Sequence, residues 1–110
     1  MSSHIVTGCG GFVGSHLTRA LLARGHEVWG IDSLVVGFEK NIADLRNNPN
    51  FHFVKQDIRD IPSAQGSIDY IWHLAARGET YFCRDYPKLA VLVNINGTIS
   101  MLDIAINSKC

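Results

Sequence analysis

Neither sign of charge is in excess in this chain: ten Lys and Arg balance ten Asp and Glu, and the formal net charge is zero. A protein that binds nucleic acid through its surface field concentrates Lys and Arg on one face. A balanced chain without charge runs gives that class no support, and no nucleic-acid partner is expected. Cysteine is also scarce. Cys9, Cys83 and Cys110 are odd in number and widely spaced, and no C-x-x-C occurs. That removes a zinc ribbon and a thioredoxin-type pair, and points to reduced thiols in a cytoplasmic protein. The histidines His4, His16, His26, His52 and His73 never stand four apart with an acid between them, which removes a zinc-protease helix. No uninterrupted apolar run exceeds a few residues, so no membrane span is expected. The start, Met1-Ser2-Ser3-His4, lacks the basic segment and apolar core of a signal peptide. A G-x-S-x-G nucleophile elbow is missing as well.

What is present is an alternation of short apolar runs with helical patterns. His4 to Thr7 reads as a buried strand ending in a glycine cluster. From Phe12 to about Arg24, Val13, Leu17, Ala20 and Leu21 recur at helical spacing. Gly25 closes that helix. Glu27 to Ile31 is a second strand, ending at Asp32, and residues 33–40 form a loop around Gly37. Asn41 to Asn48 reads as a short helix stopped by Asn48-Pro49. Phe51 to Val54 is a third strand, Ile61-Pro62 through Gly66-Ser67 a loop, and Asp69 to Leu74 a fourth strand. Pro87 fits the first turn of a final helix with an apolar face of Ile95, Ile99, Leu102 and Ile106. Strands separated by helices imply crossovers and a parallel α/β sheet, here of about four strands in the order 3-2-1-4. A complete doubly wound dinucleotide fold has about six strands. No repeat or interdomain linker divides the 110 residues.

The most informative stretch is Thr7-Gly8-Cys9-Gly10-Gly11-Phe12-Val13-Gly14. It follows the first strand and opens the first helix, where a dinucleotide site needs it. The spacing G-x-G-x-x-G fails, because Val13 fills its last slot; G-x-x-G-x-x-G fits, with Gly8, Gly11 and Gly14. Gly8 lets the chain turn off the strand. Gly11 lets backbone approach a pyrophosphate, and Gly14 lets helix pack on sheet. The helix start offers free N–H groups and a positive dipole end. The alternative is a glycine-rich turn with no ligand. Asp32 follows 18 residues after Gly14, where an acid accepts hydrogen bonds from the adenosine ribose. A carboxylate there repels a 2′-phosphate and favours NAD over NADP. In isolation Asp32 would be a solvated loop acid or a cap.

Together these residues resemble the NAD-dependent epimerase/dehydratase family, extended short-chain dehydrogenases that act on nucleotide sugars. The resemblance runs through Gly8 to Gly14, Leu21-Leu22, Arg24 to Val28, and Asp32-Ser33-Leu34 with Gly37 and Asn41. It continues in Phe53-Val54, Asp57-Ile58-Arg59-Asp60, Asp69, His73-Leu74-Ala75-Ala76, Pro87 and Asn94 to Thr98. It implies a Rossmann fold with NAD as cofactor. Backbone N–H groups of Phe12 and Val13 meet the pyrophosphate. Ser33 replaces the family's usual Asn beside the ribose acid. Asp57 takes the adenine amino group and Ile58 uses its backbone N–H; read alone, Asp57 is a turn acid. Leu74, Ala75 and Ala76 line ribose and pyrophosphate. His73 is a packed, hydrogen-bonded strand histidine, and Asn94 ties helix to sheet. Val36, Cys83 and Val93 replace polar residues frequent in the family. Arg77 and Arg84 are either contacts to a substrate phosphate or solvated charges, the latter being the ordinary case.

The family's catalytic Tyr-x-x-x-Lys is not found. Tyr70, Tyr81 and Tyr86 are followed four residues later by Leu74, Asp85 and Ala90. No catalytic residue or metal ligand is therefore assigned. The expectation is that residues 1–110 are the N-terminal part of an NAD-binding domain, without its second half or the substrate domain. They would hold the ADP half of NAD in an enzyme whose substrate is a nucleotide sugar. An open fourth-strand edge would invite self-association. Two other readings remain: a non-enzymatic dinucleotide-binding module, and a fragment of an NADP-dependent reductase.

Overall fold

The computed structural model of the chain describes residues 1–61 and 67–110. Most of the loop expected from Ile61 to Ser67 lies outside the described residues. Four strands, β1 (Ser3–Thr7), β2 (Glu27–Asp32), β3 (Phe51–Lys55) and β4 (Tyr70–His73), form one sheet in the order β3-β2-β1-β4. All three pairings are parallel. Helix α1 (Phe12–Ala23) crosses from β1 to β2, and α2 (Thr80–Asp85) and α3 (Pro87–Ser108) follow β4. This is the expected α/β architecture and strand order.

Alternation along β1 explains why its consecutive residues Ile5 and Val6 are both apolar. Val6 points into one core with Leu21, Leu22, Val28, Ile42 and Phe51. Ile5 points into the other, with Ile31, Ile58, Ile68, Met101 and Ile104. A parallel sheet covered on both faces demands apolar residues on both. Helix α1 ends as expected: Arg24 caps it, and Gly25 adopts φ +81°, the left-handed conformation that glycine enters without a Cβ penalty.

Three expectations need correction. Asn41–Asn48 is not an α-helix. Two 3₁₀ turns, Glu39–Asn41 and Ala43–Leu45, occupy that region, because the segment is short and tied across its start to the glycine loop. Val13 does not belong to the inner face of α1; it is exposed, and Gly14, Ser15, Thr18, Leu21 and Leu22 face inward. The largest correction concerns α3. Ile95, Ile99, Leu102 and Ile106 are exposed, and Ala90, Gly97, Met101 and Ile104 are buried instead. Apolar residues surround this helix, so two faces satisfy the same spacing. The buried one carries Gly97, where an added Cβ would collide with Ile58. Glycine there lets α3 approach the turn after β3 with the Ile58 side chain in the place it now occupies.

The run-length argument against a membrane span also fails for α3. Its 22 residues reach a mean hydropathy of 1.7 over an 18-residue window, which meets the length and composition of a crossing segment. Mostly buried core helices of soluble proteins pass the same test; here 22% of the window is buried, where residues such as Met101 and Ile104 pack α3 against this sheet.

Candidate functional site

The C-terminal ends of the strands border one cleft of about 460 Å³. In open α/β sheets ligands bind at this end, where the strand order reverses. Here the reversal lies at β1: the chain steps from β1 to β2 and β3 on one side, and the connection after β3 returns to place β4 on the other.

The glycine loop forms the centre. Gly8 takes φ +73°, its N–H donates to the Ile31 carbonyl (2.8 Å), and its carbonyl accepts from Gly11 (3.0 Å). A side chain at Gly8 would press on backbone of Leu74 and Ala75 at 3.1–3.3 Å. A Cβ on Gly14 would collide with the Gly8 carbonyl oxygen. Two of the three in-phase glycines are thus required by backbone approaching backbone. Gly11 caps α1 without a side-chain bond, and no acid lies in the first turn. The leading N–H groups of α1, from Phe12 onward, therefore have no side-chain acceptor. The Phe12 and Val13 side chains are exposed, and neither these two residues nor Gly14 line the cleft.

Asp32 is buried at the end of β2. Its Oδ2 accepts from Gly10 N–H and its Oδ1 from Leu34 N–H, both at 2.8 Å. The carboxylate thus staples the glycine loop to the loop after β2. That second loop is fastened again at Gly10, whose carbonyl accepts from Phe38 N–H (3.0 Å) and Asn41 Nδ2 (2.8 Å). Gly37 fits because a Cβ there would lie 2.9 Å from Asp32 Oδ2. Ser33 lines the cleft with Val35 and Val36. Cys9 is fully buried below the loop. Burial, then the Asp32 charge, pushes its thiol pKa up to about 12, which keeps it a protonated, unreactive thiol at neutral pH.

On one flank Asp57 caps the 3₁₀ turn Ile58–Asp60, accepting the Arg59 N–H at 2.9 Å. The Arg59 guanidinium grips the same carboxylate and holds its pKa below the usual range. The turn-acid geometry is therefore real, and Asp57, Ile58 and Arg59 all line the cleft.

On the other flank Leu74, Ala75 and Ala76 complete the wall. A relay positions them. Ala75 N–H donates to Thr7 Oγ1 (3.0 Å), and that hydroxyl lies 2.8 Å from His73 Nδ1. Thr98 Oγ1 donates to the Asn94 carbonyl (2.7 Å), so it accepts from His73 Nε2–H (3.2 Å). Both His73 nitrogens are engaged, and burial lowers the ring's pKa. This is the packed strand histidine of the sequence reading. Asn94 tethers α3 to the loop after β4, accepting Arg77 N–H (2.8 Å) and donating to its carbonyl (3.0 Å). Arg77 is neither solvated nor free: its guanidinium sits 3.5 Å from the Phe82 ring centroid and pairs with Glu79 at 3.2 Å. Arg84 is exposed and pairs with Asp85.

Gly8, Gly11, Asp32, Ser33, Asp57, Ile58, Leu74, Ala75 and Ala76 thus come together at one cleft. The sequence reading did not single out Thr7, Phe82 or Leu89. Thr7 closes β1 next to the first glycine, the one local signal available. Nothing local marks Phe82 or Leu89, which reach the cleft through α2 and α3.

Residues 4–110 match a family model described as the NAD dependent epimerase/dehydratase family. Among curated relatives, UDP-glucuronic acid decarboxylase 4 of Arabidopsis thaliana is 36% identical over 101 residues, 92% of this chain and 22% of the relative. The UDP-glucose 4-epimerase of Mycolicibacterium smegmatis is 38% identical over 105 residues, 92% of this chain and 34% of the relative. Of the solved structures, UDP-N-acetylglucosamine 4-epimerase from Methanobrevibacter ruminantium superposes with TM-score 0.89 at 28% identity, over 98% of this chain and 35% of that one. UDP-glucose-4-epimerase from Stenotrophomonas maltophila, solved with bound NAD, gives TM-score 0.85 at 29% identity, over 99% and 34%. The chain spans only 22–34% of the length of these curated relatives.

Proposed function

The chain belongs to the NAD dependent epimerase/dehydratase family, and from that premise we propose that residues 1–110 are the part of a Rossmann domain that holds the ADP half of NAD. The second half of that domain and the substrate domain lie outside these residues in this reading. The observation that carries it is the cleft itself, with a glycine turn at its centre, a helix start without an acidic neighbour, and a carboxylate at each of two strand ends. Gly8, Gly11 and Gly14 let the pyrophosphate approach the N–H groups of Phe12 and Val13. Asp32, with Ser33 beside it, accepts from the adenosine ribose hydroxyls; its two carboxylate oxygens each retain acceptor capacity beyond the one bond they make. Asp57 and the Ile58 N–H address the adenine. Leu74, Ala75 and Ala76 form the wall along ribose and pyrophosphate.

NAD, when bound, supplies the hydride acceptor for chemistry at a sugar carbon. The residues here bind and orient its ADP half, and we assign none a catalytic role. In the longer protein the substrate is a nucleotide sugar, by likeness to the epimerases and decarboxylases above. The free cysteines accord with a reducing, cytoplasmic setting.

Calorimetry with ADP, NAD and NADP tests the reading. It expects comparable affinities for ADP and NAD, and NADP weaker by about tenfold or more, because Asp32 opposes a 2′-phosphate. No heat with either ADP or NAD overturns the proposal. Tighter binding of NADP overturns the role of Asp32 and favours the NADP-reductase scaffold.

A further inference from the structure

We infer that Arg59 is a positioning residue for the purine end of the cleft: it locks the Asp57 carboxylate so that one acceptor position remains, and this selects a 6-aminopurine over a 6-oxopurine. The inference deepens the ADP reading and rests on it.

An ionised carboxylate offers about four lone-pair positions and no donor. At Asp57 three are filled. Oδ1 accepts the Arg59 backbone N–H at 2.9 Å and Arg59 Nε at 3.1 Å. Oδ2 accepts Arg59 Nη2 at 2.8 Å. The position left is on Oδ2. It can take one N–H from an exocyclic amino group. Against a purine 6-carbonyl it would set acceptor against acceptor, and a site built for a donor rejects the analogue that lacks it.

The grip is two-pronged, so it fixes the plane of the carboxylate as well as its place. Its base is rigid. Ile58 is buried in the core below α3, against Gly97. Both partners are about one third exposed, at 31% and 33% of their side-chain surface. At that exposure an ion pair contributes little to stability, and its effect is one of orientation. Lysine could not substitute, because an ammonium on a flexible stem has no planar fork.

The test measures ADP and IDP binding by calorimetry to the wild-type chain, Arg59→Ala and Arg59→Lys, with thermal melts to confirm that each is folded. The wild type is expected to prefer ADP by about tenfold or more. Arg59→Ala should cut that ratio at least about threefold, mainly through weaker ADP binding, and Arg59→Lys should not restore it. A ratio that is unchanged or larger in either folded variant overturns the inference, as does a wild type that binds both nucleotides equally. Wild-type protein that binds neither nucleotide overturns the ADP reading itself, and this inference with it. ADP binding with an insensitive ratio removes only the role of Arg59.

Discussion

At the scale of the residue, the site depends on places where a side chain is forbidden and on side chains that bind distant backbone. The phase of Gly8, Gly11 and Gly14 was legible because a tight strand-to-helix turn needs small residues at fixed offsets. Asp32 was legible for its place after β2. Its partners were not: Gly10 lies 22 residues away and the Asn41–Gly10 bond spans 31. Local pattern carries no information about contacts of that length. The same holds for the Thr7–His73 contact across 66 residues. Gly14→Ala is the sharpest residue-scale test, because its new Cβ meets the Gly8 backbone carbonyl rather than a yielding side-chain end. The change should lower unfolding stability by about 1–3 kcal/mol, measured by urea titration, and weaken ADP binding in parallel. Wild-type stability together with wild-type affinity would contradict the packing described.

At the scale of the element, strands were read to within a residue at their ends, since β1 and β2 each carry apolar residues on both faces and are bounded by turn residues. Helices were read less well. The hexamer α2 is too short to show periodicity, and Pro87 marks the start of the next helix without revealing the one before it. In α3 the periodicity was present and ambiguous. Two apolar faces compete, and Gly97 decides between them through a contact with Ile58 that only the fold creates. The consequence is measurable. Ile104, 2% exposed, and Ile106, 74% exposed, stand two residues apart on the same helix. Ile104→Ala should cost about 2–4 kcal/mol. Ile106→Ala should change stability by about 0.5 kcal/mol or less. The reverse ranking in denaturant melts would restore the face expected from the sequence and refute the observed one.

At the scale of the whole molecule, two balances follow from the fold. The first is pH. His4 and His73 are held below their ordinary value of 6.5, His4 by burial and then by the charge of His26, His73 by burial. His4 Nδ1 also accepts the Trp72 indole N–H at 3.0 Å, a bond that the protonated ring cannot make. Below pH 6.5 the unfolded chain binds protons that the folded chain refuses. Stability is therefore present above that value and lost as pH falls through the lower folded values. Cys9 sets the other limit. Its thiol moves from 9.0 to about 12 on folding, so stability is full below pH 9 and lost as pH rises toward 12. Urea midpoints should form a plateau between about pH 7 and 9 and fall on either side. A midpoint that rises from pH 7 to pH 5 would contradict this account.

The second balance is the sheet edge. Among the described residues β4 pairs on one side only, with β1. Its other side presents unpaired backbone groups, and we propose self-association through that edge when nothing else covers it. The order of strands was legible because right-handed crossovers leave few alternatives. What covers β4 and the outer face of α3 is not written in these residues.

Amide-resolved NMR of the isotopically labelled chain, titrated with ADP, tests the central claim most directly. The account predicts saturable shifts at Gly8 to Gly14, at Asp32 and Ser33, at Asp57 to Arg59 and at Leu74 to Ala76, with the bottom of the sheet around His4 and His26 unchanged. No saturable shifts, or shifts centred away from the glycine loop, would contradict it.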